Sequence, residues 1–174
     1  RDETILCQYN GDRSYPLAQR SDLVKQLPFL KKKFLKSEDY KNRTITDIFT
    51  PEQLAGSLKK EAFCLTTSIL WNLGGGKFET AILPSPAQQT PVFSILVDDF
   101  TGDSHPDILL AGNHERCKPE TGVYLGSYGC LLAGDGKGGF VRTEQRETGL
   151  RLEGVVRGLA VVHSKEKRTL WVAR

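Results

Sequence analysis

Asp98 to Gly112 reads DDFTGDSHPDILLAG. It sets Asp99, Thr101, Asp103 and Asp107 at positions 1, 3, 5 and 9 of one loop, with Gly102 between the second and the third. Alternate positions of a tight loop turn their oxygens inward, so this spacing suits a hard cation such as Ca²⁺, with the His105 carbonyl as a further ligand. Gly102 lets the chain turn where a side chain would obstruct it. Position 12 is Leu110, where a helix-loop-helix calcium loop carries a bidentate Glu, and the apolar run Ile108 to Ala111 follows directly. The loop is therefore expected to enter a strand and not a helix. Asp98 falls on the opposite face of its strand from Asp99 and stays outside the ligand set.

On either side of this loop, Phe93 to Asp99, Asp107 to Gly112, Tyr128 to Ala133 and Phe140 to Thr143 read as consecutive strands. Leu109, Leu110, Ala111 and Leu131, Leu132 form nearly continuous apolar runs, the pattern of strands covered on both faces. Between the last two strands, LLAGDGKGGF (Leu131 to Phe140) is a hairpin. It lacks the Lys-Ser/Thr ending and following helix of a phosphate-binding loop. A similar glycine-rich turn, NLGGGKFE, lies earlier between extended runs Ala62 to Trp71 and Lys77 to Leu83, and Phe78 and Phe140 occupy equivalent positions about 60 residues apart. This spacing is expected to be one blade repeat, part of its length being the insertion Asn113 to Gly129. Pro84 to Pro91 links the two units, and Val155 to His163 with Thr169 to Ala173 begins a third, turning at Ser164 to Arg168.

The run Asp-x-Thr-Gly-Asp-x-x-x-Asp-Ile-Leu-Leu, followed by LLAGDGKGGF, resembles the FG-GAP or VCBS repeat of bacterial β-propellers, a repeat also found in integrin α-chain heads. The family loop reads Asp-x-Asp/Asn-Gly-Asp-Gly-x-x-Asp; Thr101 and Ser104 depart from it, removing a carboxylate and a glycine. The resemblance implies a mainly β fold: a partial β-propeller of about two to three blades of four-stranded antiparallel sheet, spanning 1–174 with a helical insertion at about 21–58. Its best-defined blade is 92–143, and a further blade starts at 155–174. It also implies weakened calcium binding by Asp99, Thr101, Asp103, His105 and Asp107, and an extracellular, cell-surface or periplasmic location. Such blades do not close a ring, so missing blades or a partner chain are expected to complete it.

The N-terminal third follows a different pattern. Glu3 to Tyr9 and Arg13 to Leu17 flank the hairpin signal Asn10-Gly11-Asp12. From Ser21, Leu23, Leu27 and Leu30 recur at helical spacing until Pro28 ends or kinks the helix near Leu27. Lys31 to Tyr40 reads as a second short helix or a loop. Thr50-Pro51 places a cap hydroxyl before a proline at the first helical position, so Pro51 to Leu58 is expected to be helical.

Composition excludes several classes of function. A net charge of +3 is too small to argue for nucleic acid, and Lys31 to Lys33 reads as a solvated helix face. No apolar run approaches the roughly 18 residues of a membrane span. The four cysteines, Cys7, Cys64, Cys117 and Cys130, show no C-x-x-C pair. Cys7 and Cys64 read as small buried hydrophobes. Cys117 and Cys130 flank one loop and fit either a disulfide or free thiols.

That loop, Asn113 to Gly129, is the second candidate site. His114, Glu115 and Cys117 have no recognised zinc spacing. Tyr124 and Tyr128 beside glycines suit either a recognition surface for a protein or glycan or a loop packed over the blade edge. His163 reads as a strand-end surface residue. No catalytic triad can be assembled locally. The leading reading is thus a calcium-stabilised binding or scaffold module; the alternative is a metal-dependent propeller hydrolase or lyase, for which the acidic loop offers no neighbouring general base.

Overall fold

A computed structural model describes residues 3–118, 122–165 and 167–174. The fold is mainly β, 33% strand against 18% helix, in several small antiparallel sheets, none of them closed. The chain divides into two units, Arg1–Ala62 and Phe63–Arg174.

The first unit pairs β1 (Cys7–Asn10) with β2 (Arg13–Pro16) and continues through α1 (Arg20–Gln26), α2 (Leu30–Lys33), α3 (Ser37–Tyr40), α4 (Ile45–Ile48) and α5 (Pro51–Leu54). The segment read as an insertion thus belongs, with the hairpin, to a unit with its own core. Leu23, Leu30, Phe34, Ile48 and Phe49 are buried together, with Ile5 and Ala18 packed against them. Thr44 and Thr50 start α4 and α5, each accepting the N–H three residues on. The Arg20 guanidinium donates to the carbonyls of Phe34 and Leu35, and the Lys33 ammonium to those of Asp47 and Ile48. These cations satisfy carbonyls that such short helices leave free. Helix α5 ends at Leu54, one turn before the Leu58 expected from the sequence, because no apolar face beyond Leu54 packs into this core.

The second unit contains β3 (Ser68–Gly74), β4 (Lys77–Ile82), a 3₁₀ turn (Ser85–Gln88), β5 (Val92–Asp98), β6 (Asp107–Gly112), β7 (Cys130–Gly134), β8 (Phe140–Arg142), α6 (Gln145–Thr148), β9 (Gly158–His163) and β10 (Arg168–Ala173). Strands β5-β6-β7-β8 form one four-stranded antiparallel sheet in chain order. Strand β6 is buried along its whole length, as its unbroken apolar run requires.

The two faces of this sheet build separate cores. Ile108, Leu110, Cys130 and Leu132 pack with Leu83 and Ala87, and Ile69 of β3 joins that face. Ala111 on the other face packs with Leu152 and Val156, joined by Leu159, Leu170 and Val172 of the β9–β10 hairpin. Hairpins β3–β4 and β9–β10 therefore lie on opposite faces of the central sheet, each a two-stranded layer.

Cys64 is exposed and precedes β3, contrary to the buried reading of its apolar surroundings, and Cys7 is half-buried. Burial of Cys64 would need a covering layer, and Phe63 and Leu65 beside it are exposed as well. All four cysteines are free thiols.

Candidate functional site

The acidic loop is built around a fully buried carboxylate. Asp107 at the head of β6 has no exposed surface. Its Oδ2 accepts the N–H groups of Phe100 and Thr101, both at 2.8 Å, and its Oδ1 accepts that of Gly134 at 3.0 Å. A buried carboxylate is tolerable only when donors surround it, and these three come from the loop and from the end of β7. Gly134 is required there, since a Cβ would overlap the Pro106 carbonyl oxygen.

Asp99 braces the outer half of the loop. Its Oδ1 accepts from Gly102 and Asp103, and its Oδ2 from Ser104. Asp103 accepts the His105 N–H at 2.8 Å and stands 3.5 Å from the imidazole Nδ1. The His105 N–H bond, before the nearby imidazole, holds the Asp103 carboxyl below the usual range. The His105 ring lies over Gly136 of the β7–β8 turn, where any side chain would overlap it. In that turn Asp135 accepts from Lys137 and Gly139, and these bonds lower its pKa in the same way.

Calcium's fit to this loop divides the five residues expected from the sequence. Asp107 points inward and both its oxygens are engaged, so it acts as an internal brace. Thr101, Asp103 and His105 are exposed and Asp99 is half-buried, so they lie on the open side of the loop. Among the described residues, no group of three or more His, Cys, Asp or Glu side chains is gathered to hold a metal ion. The donor chemistry is that of a calcium loop, whereas the carboxylates here are directed at backbone N–H groups.

Asp98, set apart by strand alternation, is bound elsewhere. Its carboxylate stands 3.0 Å from the Arg168 guanidinium and 3.8 Å from the His163 imidazole. Arg168 also donates to the Asp99 carbonyl and lies over the Phe100 ring. The β9–β10 turn is thereby tied to the acidic loop, a role that nothing near Arg168 in sequence announces.

The second candidate loop is anchored by Asn113, a buried residue in the left-handed region at φ 75°. Its amide nitrogen donates to the carbonyls of Ser127 and Gly154, and its oxygen accepts the Ser127 N–H. Asparagine tolerates this conformation, and its position after Gly112 is the one sequence cue to it. His114 and Tyr124 exchange backbone hydrogen bonds of 2.8 and 2.7 Å. Residues 119–121 of this loop lie outside the described residues. Val123, Tyr124, Leu125 and Tyr128 are exposed, and the Arg151 guanidinium lies over the Tyr128 ring. Cys117 donates to the His114 carbonyl, and the His114 ring packs against Phe93, so His114, Glu115 and Cys117 form no metal trio.

No helix among the described residues is long and apolar enough to cross a membrane. No protein-family model, curated protein or solved structure matches this chain.

Proposed function

We propose that the chain is a binding or scaffold module of β-propeller type, contacting a protein or glycan through the Asn113 to Gly129 loop. The observation that carries this reading is a four-stranded antiparallel sheet with a further antiparallel hairpin packed on part of each face, in chain order. Face-to-face stacking of such sheets is the propeller arrangement. The FG-GAP or VCBS resemblance of the acidic loop is in keeping with it. The exposed Tyr124 and Tyr128 supply rigid amphipathic contact area on an anchored loop.

Calcium is part of this proposal as a stabilising ion. Asp99 and Asp103, with the Thr101 hydroxyl and the His105 carbonyl, form the open side from which it would be held. Ionised carboxylate oxygens keep further lone pairs after accepting a backbone N–H. The loop braces β6 against β7, so the ion would add stability by mass action. Thermal unfolding in excess calcium and in chelator tests this. A rise in melting temperature that disappears in Asp103→Ala is expected; an unchanged melting temperature removes calcium from the proposal. Secretion or display at the cell surface accompanies this reading.

A further inference from the structure

Outside the central sheet, the second unit is made of two half-layers, and they are opposite halves. The four-stranded sheet shows what a full layer contains: an inner pair, β5–β6, and an outer pair, β7–β8, joined by the β6–β7 ladder. Hairpin β3–β4 resembles the outer pair, with its glycine-rich turn leading to Phe78 as the β7–β8 turn leads to Phe140. It also lies over the outer strands, where Trp71 stacks on Phe140 with ring centroids 6.3 Å apart. Hairpin β9–β10 lies against the inner strands, its turn held by Asp98 at the end of β5. Among the described residues of the second unit, one layer thus shows an outer pair and the other an inner pair. Among the described residues β3 and β10 each have a ladder partner on one side alone.

The exposed apolar residues follow the same division. On β5, Ile95 and Val97 share the face of Leu110 and Ile108 by register, yet are 61% and 58% exposed, because β3–β4 does not reach them. Leu70, Phe78 and Ile82 form the outward face of β3–β4 and are exposed. On the opposite end, Val162 and Trp171 form the outward face of β9–β10, and Val141 of β8 is left uncovered beside them. Apolar strand faces and open edges of this kind are where further chains add.

We infer that a second copy of this chain completes the layer, its β10 pairing beside β3 so that the two half-layers become one four-stranded sheet. The inner half-layer of the second copy then sets Trp171 and Val162 on Ile95 and Val97. Leu70, Phe78 and Ile82 of the first copy meet Val141 of the second. The contact is heterologous, two different surfaces joined head to tail, so repetition gives a ring or an open stack instead of a two-fold dimer. The inference rests on the stacked layers of the proposed propeller architecture and is independent of calcium and of the ligand loop.

Sedimentation velocity of the full chain and of two exposed-face variants, Leu70→Asp and Trp171→Asp, tests it. The expected result is an oligomer for the unaltered chain and a monomer of 19.4 kDa for each variant alone. Mixing the two variants then restores a mixed dimer, because each retains the surface the other has lost. Circular dichroism checks that both variants fold; should either not, Phe78→Ser and Val162→Ser, again one on each surface, repeat the cross. A monomeric unaltered chain overturns the inference, as does an oligomer that survives the substitutions or fails to reappear on mixing. A negative result here leaves the calcium titration to decide the metal loop separately.

Discussion

The carboxylate of Asp107 and the backbone N–H of Gly134 meet at 3.0 Å, joining the first residue of β6 to the last of β7. That single bond, with the two N–H groups of Phe100 and Thr101 on the other oxygen, ties the acidic loop to the neighbouring hairpin inside the protein. In Asp107→Asn an amide N–H₂ would face one of these donors and leave it buried without an acceptor. The expected cost is about 2–4 kcal/mol, read by chemical denaturation at neutral pH. A loss below about 1 kcal/mol would show that the loop does not depend on this brace.

Ser104 stands at φ 69° in the acidic loop, a left-handed conformation that strains a residue with a Cβ. It is also the position where the resembling repeat family carries glycine. Ser104→Gly should therefore raise stability by about 0.5–1 kcal/mol, even though glycine gains freedom in the unfolded chain. The reverse test is Gly102→Ala at φ 80°, which should lower it. The midpoints of thermal unfolding of the two variants should move in opposite directions.

Asp135 is held below the usual carboxylate range first by the Lys137 N–H and then by the Gly139 N–H. A depressed folded pKa contributes stability above the unfolded value of about 4, and that contribution is lost as pH falls through the folded value. Asp135→Asn removes the ionisable group. The stability advantage of the unaltered chain over this variant should be constant near neutral pH, shrink below about pH 4, and vanish in stronger acid. Thermal melts across that range read the difference. A gap that stays constant in acid would rule out a contribution from the ionised group.

Much of the second unit is legible in the sequence because its signals are local. The apolar runs Ile108 to Ala111 and Leu131 to Leu132 announce strands buried on both faces, and β6 and β7 occupy them. Gly134 to Phe140 announces a hairpin because glycine adopts without strain the positive φ that Gly136 and Gly138 take. Strand limits were less legible. The third strand of the sheet starts at Cys130 and not at Tyr128, since the Tyr128 carbonyl accepts from Leu152 outside the sheet. The helix α6 follows Glu144, whose N–H the Glu147 side chain accepts, a signal four residues long and easily missed.

In the acidic loop, the sequence by itself determined which residues occupy the turn and that a strand follows, because oxygen spacing, Gly102 and the apolar run are adjacent in the chain. Which way Asp107 and Asp98 face was decided by the tertiary structure. Asp107 is buried because β7 brings Gly134 against it, and Asp98 is engaged because the β9–β10 turn brings Arg168 to it. Those donors lie 27 and 70 residues away along the chain, Asp107 to Gly134 and Asp98 to Arg168. A carboxylate selects the N–H or guanidinium that packing delivers within about 3 Å, and sequence spacing carries no record of that distance.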